Sequence, residues 1–245
     1  MKIAIVSGAS SGIGLEFARA LDSYALDELW LIARNENALT ELKSTLNTKT
    51  KIIALDLSEN FSFDKINNML EEIKPEIEYL ICSAGVGYNG DLEKISKEQI
   101  SNTIAINCTA LTLLNKACLS YFTEGSRIIN VSSGAAFTPQ PYFSVYAASK
   151  SYVNSFSRAI GYELRKKRVY VTSVCPGPVS TPFFSSLENV KEYKKRFLIS
   201  PKKVALGSLK ASKRKRKIYT PSFSMKLIHL ISKILPTSWI LKFYK

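Results

Sequence analysis

The chain opens on a short apolar run, Ile3-Ala4-Ile5-Val6, and turns at once through Gly8-Ala9-Ser10-Ser11-Gly12-Ile13-Gly14 into a helical pattern over 12–21. This opening constrains the fold more than any other feature. The run is too short for a secretory leader's apolar core and reads as a buried strand. Further runs at Leu29–Ala33, Ile52–Leu55, Tyr79–Cys82, Arg127–Val131 and Val169–Val174 alternate with helical stretches, among them 37–46 and 64–73. Strands alternating with helices build a doubly wound parallel sheet covered on both faces, a Rossmann-type α/β fold. Ligands of such sheets bind beyond the carboxyl ends of the strands. Gly8, Ala33, Asp56, Ser83 and Ser133 all fall at or just after predicted strand ends, which makes them candidate site residues.

The chain's 245 residues, 46% of them apolar, suffice for one large domain. No Pro-, Gly- or Ser-rich linker divides it. Residues 1–221 read as the body, and 222–245 as a basic amphipathic extension. Cys82, Cys108, Cys118 and Cys175 lack CxxC spacing and read as small core residues in a reducing, cytoplasmic setting, with no metal site implied. The net charge of +14 is lopsided: residues 201–245 hold 12 Lys/Arg and no Asp/Glu, leaving a nearly neutral body. The overall charge is therefore poor support for nucleic-acid binding.

Gly8, Gly12 and Gly14 follow the spacing GxxxGxG. Glycines there permit positive φ and let a pyrophosphate approach the backbone, while the following helix points free N–H groups at it. Ser10, Ser11 and Ile13 complete the candidate loop. Gly8-Ala9-Ser10-Ser11-Gly12 also matches the G-x-S-x-G nucleophile elbow of hydrolases. That chemistry needs strands before the serine and a histidine after it. Here nothing precedes residue 8 but one strand, and the single histidine, His229, lies in the basic tail.

Tyr146 and Lys150 enclose Tyr146-Ala147-Ala148-Ser149-Lys150, and Ser133 stands 13 positions earlier. With the glycine loop, Asp56-Leu57, Ser83-Ala84-Gly85, Asn107 and Pro176-Gly177-Pro178-Val179, these residues resemble the short-chain dehydrogenase/reductase family in order and spacing over about 3–182. The tail, with Ile218-Tyr219-Thr220-Pro221, is more loosely similar to a bacterial subgroup of broad specificity. The family often has Asn-Asn-Ala-Gly where this chain has Cys82-Ser83-Ala84-Gly85. The resemblance implies hydride transfer between a nicotinamide cofactor and a carbonyl or alcohol. It also implies a homo-oligomer formed through the helices bearing Asn107 and Tyr146.

Cofactor choice is read at Arg34, 20 residues after Gly14. An acidic residue there would accept from the ribose 2′-OH of NAD. An arginine fork instead suits the 2′-phosphate, which favours NADP(H). Ser11, where many NADP-dependent relatives carry a second basic residue, is the counter-indication. Asp56 would accept from the adenine amino group with Leu57 beside the ring, unless it serves as an N-cap.

Tyr146 and Lys150 share one helix face a turn apart. The lysine's charge, with the positive nicotinamide of an oxidised cofactor, should pull the phenol below its ordinary ~10, fitting it for acid–base work. By resemblance, Tyr146 exchanges a proton with the substrate oxygen, Ser133 donates a hydrogen bond to it, Lys150 holds the ribose hydroxyls, and Asn107 positions a relaying water. Val179 bonds the carboxamide through its backbone and Thr181 steadies the cofactor beside Pro176 and Gly177. Residues 183–200 form the expected lid, with Phe183, Phe184, Leu187, Tyr193 and Phe197. Pro139, Tyr142 and Phe143 face them, which suits a lipophilic ketone or aldehyde.

Lys210 and Lys213–Lys217 crowd six basic residues into eight positions. Beyond them Phe223, Leu227, Leu230, Ile231, Ile234 and Leu235 share one helical face, and Lys226, His229 and Lys233 the other. The charges exclude a membrane-spanning helix. Two readings stand level: an interfacial helix on the inner face of an anionic membrane, or a helix packed on the body or on a second subunit. Nucleic-acid binding ranks below both. For the whole chain, an NADPH-dependent carbonyl reductase is favoured over a non-catalytic NADP-binding sensor or scaffold and over an NAD-dependent alcohol dehydrogenase.

Overall fold

The computed structural model describes residues 1–187 and 197–242. Seven parallel strands form one sheet in the order β3-β2-β1-β4-β5-β6-β7. They are β1 (Lys2–Ser7), β2 (Glu28–Ala33), β3 (Thr50–Ala54), β4 (Glu76–Cys82), β5 (Arg127–Val131), β6 (Tyr170–Val174) and β7 (Ile218–Tyr219). Strand order reverses between β1 and β4, where Ser7 pairs with Ile32 on one side and Cys82 on the other. The crevice at that reversal is where such sheets bind ligands.

Helices cover both faces, which is why the strands read as unbroken apolar runs. Side chains alternate along β1: Ile3 and Ile5 enter one core with Trp30 and Ile53, Ala4 and Val6 the other with Leu29 and Leu31. The first core is closed by α3 (Phe61–Ile73) through Ile66 and Leu70, by α5 (Leu111–Cys118) through Leu114, and by α6 (Ser144–Glu163) through Val153. The second is closed by α1 (Gly12–Leu21) through Phe17 and Leu21, by α2 (Glu36–Ser44) through Leu39, and by the helix Pro201–Lys213 through Val204 and Leu209.

Local signals set the helix starts. Asn35 caps α2 by accepting from Ala38 N at 3.0 Å. Ser96 and Gln99 form a reciprocal capping box on α4 (Lys97–Ile104). After α6 come α7 (Pro182–Ser185), α8 (Pro201–Lys213), α9 (Phe223–Ile234) and α10 (Thr237–Leu241). Ser200 caps α8, with Pro201 at its first position, and Ser222 caps α9.

The four cysteines are free and buried. Burial pushes the Cys82 thiol up to about 12 and the Cys175 thiol up to about 11, so both stay protonated as packing groups.

The basic run does not sit beside the C-terminal helix. Lys213 lies over the Tyr24 ring at 4.1 Å and Lys215 over Tyr170 at 4.5 Å. The Arg216 and Lys217 carbonyls accept from Thr172 Oγ1 and Ser173 N. This run is the turn that delivers β7 to the sheet, at the end opposite the crevice.

Candidate functional site

The glycine loop is tight because three backbones converge. Gly8 has φ +69, and a Cβ on it would fall 2.8 Å from Ala84 N. A Cβ on Gly14 would fall 2.1 Å from Gly8 O. Neither position tolerates a side chain. Gly12 has φ +55, and a Cβ there would meet Thr181 Cγ2 at 3.0 Å. The loop after β6 therefore closes over the loop after β1. Ser11 stands at the N-cap of α1 in extended conformation and makes no side-chain cap bond. The first N–H groups of α1 are thus left for an anion at the helix N-terminus. Ser10, Ser11 and Ile13 lie in this loop, as the spacing predicts.

Ser83 and Ala84 are held by a residue the sequence analysis passed over. Ser7 Oγ accepts from Ser83 N at 3.2 Å and Ala84 N at 3.4 Å, and donates to Ile81 O at 3.4 Å. It ties β1 to β4 at the reversal. Gly85 carries no Cβ because one would sit 3.1 Å from Lys150 Nζ and 3.3 Å from Asn107 Oδ1.

At the other end of the crevice Arg34 Nη1 stands 3.6 Å from Asp56 Oδ2, with the arginine side chain 67% exposed. Asp56 Oδ1 accepts from Ser58 N at 2.9 Å and Ser58 Oγ at 2.7 Å. Burial raises the Asp56 carboxyl, but the Ser58 hydrogen bonds and the Arg34 charge outweigh it and hold the group below the usual carboxylate range. Asp56 does not cap α3, whose N-cap is Asn60. Leu57 is buried behind it.

Asn107 sits in a π turn, Ala105–Ala110, inserted between α4 and α5. Such turns rotate a side chain out of the regular helical register. Its amide clamps the strand end: Oδ1 accepts from Val86 N at 2.9 Å, and Nδ2 donates to Val86 O at 2.8 Å and Ser149 Oγ at 2.9 Å. Ser149 Oγ in turn donates to Tyr146 O at 2.7 Å. One chain of hydrogen bonds thus runs from the segment after β4 to the backbone of Tyr146.

Ser133, Tyr146 and Lys150 come together at the end of β5. Ser133 Oγ accepts from Ala135 N at 3.1 Å, and its side chain is close enough to the Tyr146 phenol to favour the phenolate. Lys150 Nζ donates to Val131 O at 3.0 Å and lies 5.7 Å from the Tyr146 ring centroid. Ser132 Oγ donates to Lys150 O at 2.7 Å and fixes α6 against β5.

The protein's own groups do not lower the phenol. Burial pushes Tyr146 up to about 12, with the Ser133 side chain pulling the other way. Burial also brings Lys150 down to about 8. Desolvation disfavours the charged form of each group.

Tyr146 is roofed by aromatic rings. Phe143 stacks on it at 4.3 Å between centroids and Phe183 at 5.4 Å. Gly87 lies under the ring, where a Cβ would come within 2.4 Å of Tyr146 Cδ2. Gly87 and Ser149 were missed because each is an ordinary small residue beside a recognised motif. Tyr142 adopts φ +61 and is exposed, as is Phe197. Of the expected lid, Phe183, Phe184 and Leu187 lie in or just after α7, and Tyr193 falls outside the described residues. Val179 pairs with Ile199, and Thr181 Oγ1 donates to Val179 O at 3.3 Å. Gly177 is packed by Met225 rather than open, since a Cβ there would sit 3.0 Å from Met225 Cγ.

The cradle fits a dinucleotide. Glycines admit a close backbone approach, the N-terminus of α1 opens on the crevice, and Arg34 and Lys150 stand at its opposite ends.

Comparison with known proteins agrees with this geometry. The short chain dehydrogenase family model matches residues 2–192. An uncharacterised oxidoreductase of Staphylococcus epidermidis is 31% identical over 183 residues, 74% of this chain and 79% of that protein. The human very-long-chain 3-oxoacyl-CoA reductase is 31% identical over 192 residues, covering 73% of this chain but 59% of that enzyme. A human inactive hydroxysteroid dehydrogenase-like protein is 32% identical over 187 residues, 73% of this chain and 56% of its own. A short-chain dehydrogenase from Sphingobium yanoikuyae, solved with NADPH, superposes with a TM-score of 0.81 at 23% identity, over 95% of this chain and 93% of that one. With a matched model across most of its length and relatives above 30% identity, the chain belongs to the short-chain dehydrogenase family of oxidoreductases.

Proposed function

We propose that the protein is an NADPH-dependent carbonyl reductase that passes hydride between NADP(H) and a lipophilic ketone or aldehyde, or the matching secondary alcohol. The observation that carries this is the Tyr146 phenol beside Ser133, with Lys150 in the next turn of α6, next to a glycine cradle. Bound NADPH supplies the hydride. Tyr146 then gives its proton to the substrate oxygen in reduction and takes it back in oxidation. Ser133 donates to the same oxygen and fixes its position. Lys150 holds the ribose hydroxyls. Lys150 Nζ and Asn107 Oδ1 both border Gly85, and a water between these two side chains would relay protons to the lysine. Val179 and Thr181 hold the nicotinamide end, Asp56 and Leu57 the adenine.

The aromatic roof of Phe143 and Phe183 supports a lipophilic substrate, and the human relative named as a very-long-chain 3-oxoacyl-CoA reductase points the same way. A second reading, a cofactor-binding protein without catalysis, is favoured by the relative named as inactive. The retained Ser133, Tyr146 and Lys150 geometry argues against it. A second copy on the outer face of α6, where Tyr152 stacks on Phe156 at 6.0 Å, and a site of action at an anionic membrane complete the reading.

Arg34 tests the cofactor choice. Losing the charge-assisted bonds to a 2′-phosphate should cost about 1.5–3 kcal/mol, on the order of ten- to a hundredfold in kcat/KM for NADPH. In Arg34→Ala, steady-state rates should fall by that much with NADPH and stay near wild type with NADH. An equal loss with both would remove Arg34 from phosphate recognition.

The pH dependence follows from Lys150. Its ammonium is held down to about 8 in the free protein, while the phenol stays protonated well above that. The kcat/KM for NADPH, which reports the free protein, should be level below pH 8 and fall as pH rises through about 8. A profile level to pH 10 would contradict the assignment of the lysine's charge to cofactor binding.

A further inference from the structure

The C-terminal helix turns its apolar stripe outward. Phe223, Leu227, Leu230 and Ile234 share one face of α9 and are 80%, 48%, 56% and 70% exposed. The opposite face is the one that touches the body. Built Cβ atoms would fall 2.6 Å from Met225 Sδ at Gly134 and 3.0 Å from Met225 Cγ at Gly177. His229 stacks on Phe137 with centroids 4.2 Å apart. A helix free to roll would bury its apolar stripe, but these contacts fix α9 with that stripe in solvent. Monomeric proteins rarely leave such a contiguous stripe uncovered unless it meets a partner.

The charge around the stripe selects the partner. Lys226 and Lys233 are exposed along one side of it, between the stripe and the face on the body, Lys242 follows, and residues 201–245 contain no acidic residue. Lys202 and Lys203 open α8 beside Ile199, at the same end of the sheet as the crevice. A symmetric contact between two copies of this stripe would bring like-charged lysines together. An anionic lipid surface meets both needs, taking the apolar side chains into the acyl boundary and the lysines at the headgroups. No helix among the described residues is long and apolar enough to cross a membrane, so the contact is in the plane of the surface.

We propose that α9 seats the protein on an anionic bilayer through Phe223, Leu227, Leu230 and Ile234, with Lys226 and Lys233 on the headgroups, while its inner face forms a wall of the substrate cleft. Gly134 follows Ser133 in the chain and Gly177 lies in the loop before Val179, so Met225 stands next to both. A lipophilic carbonyl compound then enters from the bilayer side, a consequence that rests on the reductase reading.

The test is flotation of the intact chain on vesicles of mixed phosphatidylglycerol and phosphatidylcholine, against phosphatidylcholine alone. The double variant Leu227→Glu/Leu230→Glu is run beside it, with light-scattering mass and melting temperature measured on both. The wild type should float on the anionic vesicles, with partitioning lower by about tenfold or more on neutral ones and in about 0.5 M salt. The double variant, changed only at exposed positions, should stay unbound with unchanged mass, unchanged melting and unchanged turnover of a small water-soluble ketone. Failure of the wild type to float overturns the proposal. A halved mass in the double variant does so too, because it marks the stripe as a contact between copies. Turnover of the soluble ketone is read without vesicles, so an inactive protein would sink the reductase reading and leave the flotation result standing.

Discussion

Tyr146→Phe should lower kcat by ~10²–10⁴-fold, the range for losing a positioned acid–base group, while NADPH binding stays within a few-fold of wild type. The substitution removes one oxygen and keeps the ring between Phe143 and Phe183. Ser133 keeps its hydrogen bond from Ala135 N, so no buried polar atom is orphaned at that residue. The stability cost should be no more than that of one buried hydrogen bond, about 1 kcal/mol. Because the proton moves only in the reaction, kcat and kcat/KM should fall together. Stopped-flow turnover with a carbonyl panel, alongside fluorescence titration of NADPH, separates the two effects. A variant keeping a tenth of wild-type turnover would show that Tyr146 is not the proton donor.

Gly87→Ala should cost nearly as much, although the glycine contacts no reacting atom. Its Cβ would lie 2.4 Å from Tyr146 Cδ2 and 3.0 Å from Cγ, closer than real Cβ atoms approach. The ring cannot tilt freely, because Phe143 stacks on it at 4.3 Å. The segment below cannot drop freely, because Asn107 clamps Val86 through both N–H and C=O. Something must shift, and a misplacement near 1 Å costs on the order of a hundredfold in rate. Overpacking should also cost about 1–3 kcal/mol of stability. The glycine cradle is not touched, so NADPH affinity should change by only a few-fold. Denaturant unfolding and kcat, measured together, check both numbers. Wild-type turnover in Gly87→Ala would mean that the ring's position is not set as described.

The sheet was legible in the sequence because its strands are buried on both faces and therefore read as apolar runs. β1, β2 and β5 stand within a residue of their expected bounds. β7 was not legible: two residues, Ile218 and Tyr219, follow a basic run and carry no period. The glycine loop and the spacing from Ser133 through Tyr146 to Lys150 were legible because they bring backbone and side-chain chemistry together over short separations. The supports were not. Ser7, Gly87 and Ser149 matter through partners 76, 59 and 42 positions away, at Ser83, Tyr146 and Asn107, and no local pattern encodes those distances. The phenol's burial was not legible for the same reason, since it depends on Phe143 and Phe183 closing over the ring. In α9 the period identified which residues share a face, but it could not say which face the body covers.

The central claim is a hydride transferred from NADPH to a carbonyl carbon, and the direct test follows the label. The protein would be incubated with NADPH carrying deuterium at nicotinamide C4, in each stereochemical form, and a lipophilic ketone, and the alcohol analysed by mass spectrometry. One of the two forms should place deuterium on the carbinol carbon, with NADPH consumed in equal amount. NADPH that binds tightly but yields no labelled alcohol from any carbonyl compound would contradict the reductase and leave a cofactor-binding protein.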